Sequence, residues 1–134
     1  MKKFSLLFLF SLLFGAGKSQ DFSHIALDNR IYTDDIYSVK LCPADKYFGT
    51  PIIKLNSGEQ LRLVFDHLGD YDEYMKYTLI HCSHDWQLSP MNPLEYLDGF
   101  MEDEITDNSY SFNTITGYTH FELLLPNDLL RITK

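Results

Sequence analysis

The residues best suited to chemistry stand together at His81-Cys82-Ser83-His84-Asp85-Trp86, which offers two imidazoles, a thiol and a carboxylate within six positions. On an extended chain alternate side chains share a face, so Cys82 and His84 point together and His81 points away. That supplies two soft ligands. A closed zinc site takes four, usually delivered as paired spacings, and the chain has no CxxC or HxxxH to complete the set. A nucleophilic cysteine would need a base held against it, and no spacing here sets one. The run reads as a strand end with Trp86 packed at its exit, and no metal is assigned to it.

The acidic stretch Asp66, Asp70, Asp72 and Glu73 could gather oxygen ligands for a hard cation. An EF-hand loop requires acidic or amide groups at alternate positions, a sixth Gly and a twelfth Glu, and the order here does not match. A solvated hairpin turn is the expectation, and the acidic loop at 102–107 is read the same way. GxSxG, HExxH and a Gly-rich phosphate loop are absent, so the chain carries none of the local signatures of acyl transfer, zinc hydrolysis or nucleotide binding. Catalytic residues, metal ligands and cofactors are all assigned as none, and no enzyme activity is expected.

Positioning falls to strands. Alternation of apolar and polar residues marks half-buried β-structure. It places Tyr37, Val39 and Leu41 on one face of residues 36–42, with Ser38, Lys40 and Cys42 toward water. It groups Leu61, Leu63 and Phe65 within 59–66, Tyr110 and Phe112 within 109–114, and Phe121, Leu123 and Leu125 within 119–125. Residues 74–82 are apolar on both sides and predict a central strand. Residues 51–55 open on Pro51, which suits an edge. Turn signals at Asn56-Ser57-Gly58, Leu68-Gly69-Asp70, Asp98-Gly99 and Thr116-Gly117 separate these runs. The connection from 83 to 108 lacks clear periodicity, apart from a short helix expected at 93–97. The fold class is all-β, an immunoglobulin-like antiparallel β-sandwich.

The ends of the chain refine this. Residues 1–19 combine Lys2 and Lys3, an apolar run from Phe4 to Phe14 and the small residues Gly15, Ala16, Gly17 and Ser19. Eleven apolar residues fall short of the roughly 20 that cross a bilayer as a helix, and the pattern is that of a secretory signal peptide. Cleavage after Ser19 leaves residues 20–134 as one exported domain with no membrane-spanning segment. Removing Lys2, Lys3 and Lys18 lowers the net charge by three, from −8 to −11, which excludes a nucleic-acid partner held through its phosphates. Ten Phe and nine Tyr separate the chain from acidic disordered sequences. After the strand at 120–125 only nine residues follow, so the sandwich is expected to be truncated, with that strand as an unpaired edge prone to self-association. Cys42 and Cys82 are expected to remain unbonded, because Cys42 is placed on a water face.

From Pro51 to Lys134 the sequence resembles the N-terminal β-domain of the plug protein of type IX secretion systems. The resemblance lies in Ile52-Ile53-Lys54-Leu55-Asn56-Ser57-Gly58-Glu59, Tyr77 to Cys82 with Asp85-Trp86, and Glu95-Tyr96-Leu97-Asp98-Gly99-Phe100. It continues through Ser111-Phe112-Asn113-Thr114, Tyr118-Thr119-His120-Phe121 and Leu125-Pro126-Asn127. It implies a non-enzymatic periplasmic protein at the inner face of the outer membrane, whose partner is the translocon β-barrel and whose role is to close that barrel's periplasmic opening. Family members run to several hundred residues, so the chain resembles their leading part, and Cys42 departs from the aromatic or apolar residue expected there. The aromatic connection holding Trp86, Tyr96 and Phe100 is the expected partner-binding surface; the competing reading makes these rings a cover for one end of the core. Two other functional classes stand beside the plug: an exported carbohydrate-binding or adhesion β-sandwich, which would use exposed Trp and Tyr as sugar platforms, and the leading part of an exported hydrolase.

Overall fold

A computed structural model describes residues 25–69, 74–125 and 127–131. Residues 1–19, expected to be a signal peptide, and Asp70, Asp72 and Glu73 lie outside the described residues. Among the described residues six strands form: β1 (Ile36–Pro43), β2 (Leu61–His67), β3 (Lys76–Thr78), β4 (Glu102–Glu104), β5 (Asp107–Tyr110) and β6 (Thr119–Leu125). They are joined by one helical turn, α1 (Pro93–Tyr96), and a 3-10 turn at Asn127–Leu129. The strands make a four-stranded sheet in the order β1-β2-β6-β5 and a two-stranded ribbon of β3 and β4. Every pairing is antiparallel. The fold is all-β and sandwich-like, as the alternation implied.

The core follows from the register of the two central strands. Leu63 faces Leu123 and Phe65 faces Phe121 across β2 and β6, and the Phe65 and Phe121 rings stack with centroids 5.1 Å apart. Both Phe residues are buried, and Ile105 closes over them from the ribbon with Met75 and Tyr77 beside it. The Ile105 N–H donates to the Met75 carbonyl at 2.8 Å, which extends the β3–β4 pairing by one rung and sets Ile105 and Met75 side by side against the two rings. Each buried Phe contributes about 2–3 kcal/mol of transfer free energy.

Several sequence expectations fail here for identifiable reasons. The strand at 119–125 is central, paired with β2 on one side and β5 on the other, so the expected unpaired edge is not at β6; the edges of the sheet are β1 and β5. In β1 the register jumps between Tyr37 and Lys40, leaving Ser38 and Val39 opposite the single residue Phe65, with Ser38 at φ +56°. Such a bulge reverses the alternation beyond it, so Tyr37 and Leu41 lie on opposite faces. Cys42 is completely buried rather than water-facing. It sits in register with Arg62 on the face where the following loop folds back, and that loop's Tyr47 and Phe48 rings lie 3.6 Å and 4.0 Å from Lys40 Nζ. The two cysteines are unbonded, though not for the reason expected.

The predicted central strand at 74–82 is only the short β3 of the ribbon, followed by a single bridge from Cys82 to Leu88. No strand forms at 51–55. The acidic run Glu102-Asp103-Glu104, expected as loop, is β4, and Lys76 Nζ lies 2.9 Å from Glu102 across the ribbon. Tyr110 and Phe112, expected in the core, are exposed, because β5 ends at Tyr110 and the chain has turned away before it could cover them.

Candidate partner-binding surface

The turn that carries Trp86 is built by Ser83. The Ser83 N–H donates to the Gln87 carbonyl at 2.9 Å and the Trp86 N–H to the Ser83 carbonyl at 3.0 Å, while the Ser83 hydroxyl bonds the Asp85 carboxylate. That hydroxyl is the main cause holding Asp85 below the ordinary carboxylate value, with Asp85's own backbone N–H adding to it. Trp86 takes a left-handed φ of +60°, which throws its ring outward, 72% exposed. His84 is exposed beside it. Among the described residues no group of three or more His, Cys, Asp or Glu is placed to hold a metal.

Tyr96 goes the other way. Asn92 caps α1 by accepting from the Leu94 N–H, and the Glu95 carboxylate returns to the Asn92 N–H at 2.6 Å, a reciprocal box that fixes the turn's start. Pro93 fills the first position, where its missing N–H costs nothing. This rotates Tyr96 inward to 7% exposure, with its hydroxyl 3.4 Å from the Leu79 carbonyl and its ring 5.4 Å from that of His81. Of the three predicted contact residues, Tyr96 is therefore part of the core. Trp86 and Phe100 face solvent, Phe100 at 87%.

Reading the sequence alone missed the residue that organises this end of the domain. Asn127 is buried, and its carboxamide accepts the Asn56 N–H at 3.0 Å and donates to the carbonyls of Lys54 at 2.7 Å and Glu59 at 3.0 Å. One side chain thus substitutes for a strand partner along the whole Lys54–Glu59 turn. The next residues bind α1: Asp98 N–H to the Leu129 carbonyl and Arg131 N–H to the Tyr96 carbonyl, each at 2.9 Å, with Arg131 Nη2 2.7 Å from Asp98. An open cleft of about 590 Å³ results, lined by Asn56, Leu94, Glu95, Asp98, Asp128 and Arg131. The Asn56-Ser57-Gly58 segment carried a turn signal, but nothing in it or in the segment of Asn127 showed that the two clasp each other across seventy residues.

Three stretches of the noted resemblance, at 52–59, 95–100 and 125–127, therefore converge on one site within an all-β sandwich-like domain. Residues 36–134 match the family described as the type 9 secretion system plug protein first domain. The chain belongs to that family, and its role is associated with type IX secretion. A crystal structure of a hypothetical protein from Parabacteroides merdae is similar at 34% identity and a TM-score of 0.69, over 75% of this chain and 26% of that one. The chain thus spans about a quarter of that relative's length. No curated protein matches it.

Proposed function

We propose that this domain is part of a periplasmic plug that seats against the inner opening of the type IX outer-membrane translocon barrel and closes it by binding, without turning over a substrate. The observation that carries the reading is the family match across residues 36–134. The signal segment at 1–19 supports export to the periplasm, and among the described residues no helix is long and apolar enough to cross a membrane. Trp86 and Phe100 supply the anchors. Aromatic residues on braced loops lose little conformational freedom on docking and dominate binding energy at interfaces. Tyr96, buried beside His81, is not one of the anchors.

Affinity purification of the translocon barrel from cells with cargo blocked tests the reading. The protein should co-purify, and its deletion should make the outer membrane leaky to molecules too large for porins. Trp86→Ala with Phe100→Ala should lower barrel affinity by about tenfold or more while leaving thermal unfolding unchanged. Absence from the purified barrel, with permeability unaltered by deletion, would overturn the plug and favour the carbohydrate-binding class.

A further inference from the structure

The β5–β6 hairpin ends in a tip that the sheet does not use. The row Ile36, His67, Thr119 and Tyr110 closes this end of the sheet. Beyond it Ser111 braces the turn: its N–H donates to the Tyr118 carbonyl at 2.9 Å, and its hydroxyl oxygen accepts the Tyr118 N–H at 2.9 Å and lies 3.1 Å from the Thr114 hydroxyl. The Thr114 hydroxyl also lies 2.8 Å from the Thr116 carbonyl, and Asn113 turns the chain at φ +57°. The braced tip holds Phe112 at 93% exposure and Ile115 fully exposed. Neither side chain covers the core.

Charge sets the tip apart from the rest of the molecule. From Asn108 to Thr119 there is no Asp, Glu, Lys or Arg, in a chain that is 22% charged. Tyr118 stands opposite Ser111 just below the apex and Tyr110 one rung further down, opposite Thr119, in the range of depth where a ring with a polar end sits when an apolar group enters a headgroup layer.

We propose that this tip inserts into the interfacial layer of an uncharged, zwitterionic lipid surface, with Phe112 and Ile115 in the acyl boundary and the two Tyr at headgroup level. Insertion desolvates no charge, the costliest part of entering a low-dielectric layer. A specific protein interface needs roughly 1,000 Å² of complementary surface, far more than two apex side chains offer, whereas a lipid surface requires only apolar depth. The neutral headgroup follows from what stands nearby. Asp35 precedes the closing row and Asp66 lies in the next one, within a chain of net charge −8, so an anionic surface repels this end. The inference does not depend on the plug reading.

The test replaces Phe112 by Trp in a Trp86→Phe background and titrates the purified protein with phosphatidylcholine–phosphatidylethanolamine vesicles. Two side chains hold less strongly than a myristoyl chain, whose partition constant is about 10⁴ M⁻¹, so lipid is taken to millimolar concentration. The expected result is a blue shift with quenching by brominated acyl chains, partition about tenfold weaker after Ile115→Asp, and weaker binding to anionic vesicles. Circular dichroism verifies that each variant is folded. No shift in millimolar lipid, or equal binding to anionic vesicles, would overturn the proposal; a shift seen only when isolated barrel is added would do so too and would assign the tip to a protein.

Discussion

Replacing Asn127 should unlock the end of the domain where the three stretches converge. In Asn127→Ala three hydrogen bonds at 2.7 to 3.0 Å disappear. A buried hydrogen bond contributes about 1 kcal/mol net, and each partner left unsatisfied and dry costs about 1–3 kcal/mol. Lys54, Asn56 and Glu59 are exposed residues, so water can reach the abandoned groups, and the lower figure applies to most of them. The expected loss is about 2–3 kcal/mol. Asn127→Asp should be worse at neutral pH, because a carboxylate cannot donate and would face two carbonyl oxygens. Urea unfolding followed by Trp86 fluorescence measures both variants, with the slope against denaturant checking that the transition remains two-state. A loss below about 0.5 kcal/mol for Asn127→Ala, or an Asp variant as stable as the Ala variant, would refute the clasp.

Asp35 is held below its ordinary value of 3.8 first by the Thr33 hydroxyl and then by His67. Its folded value is the lower one, so its stabilisation is present above the unfolded value and is lost as pH falls through the depressed folded value. The stability gap between wild type and Asp35→Asn should therefore shrink as pH drops below about 4, and a constant gap in acid titration would contradict this. A Cβ added at Gly69 would lie 2.7 Å from Cε1 of the buried His67 ring, so Gly69→Ala should destabilise by about 1–3 kcal/mol through overpacking, measurable as a drop in Tm. In thiol labelling of the native protein, half-buried Cys82 should react while fully buried Cys42 waits for unfolding. A quantitative 42–82 link in the non-reduced protein by mass spectrometry would contradict the separate placement of the two thiols, since a bridge needs their Cα atoms within about 7 Å.

The two central strands could be read directly from alternation. Leu61 to Phe65 and Phe121 to Leu125 each repeat apolar residues at a period of two, and only a half-covered sheet rewards that period. The helical turn was legible because Pro93 starts it, and the all-β class because turn residues punctuate short apolar runs. Family membership was legible in the order of the pieces from Ile52 to Asn127. Alternation, however, reports which residues share a face and says nothing about which strand pairs with which, so it could not place β6 between β2 and β5. A bulge leaves no mark in composition. The extra residue at Ser38–Val39 sends Tyr37 to the face opposite Leu41, whereas Cys42 keeps the expected face beside Lys40 and is buried there, where the loop of Tyr47 and Phe48 folds back. The fates of Trp86, Tyr96 and Phe100 depended likewise on contacts that only the assembled chain creates. Three similar rings in one loop were divided between core and surface by a left-handed turn at Trp86, a capping box at Asn92 and the packing of Asn127–Arg131 against α1.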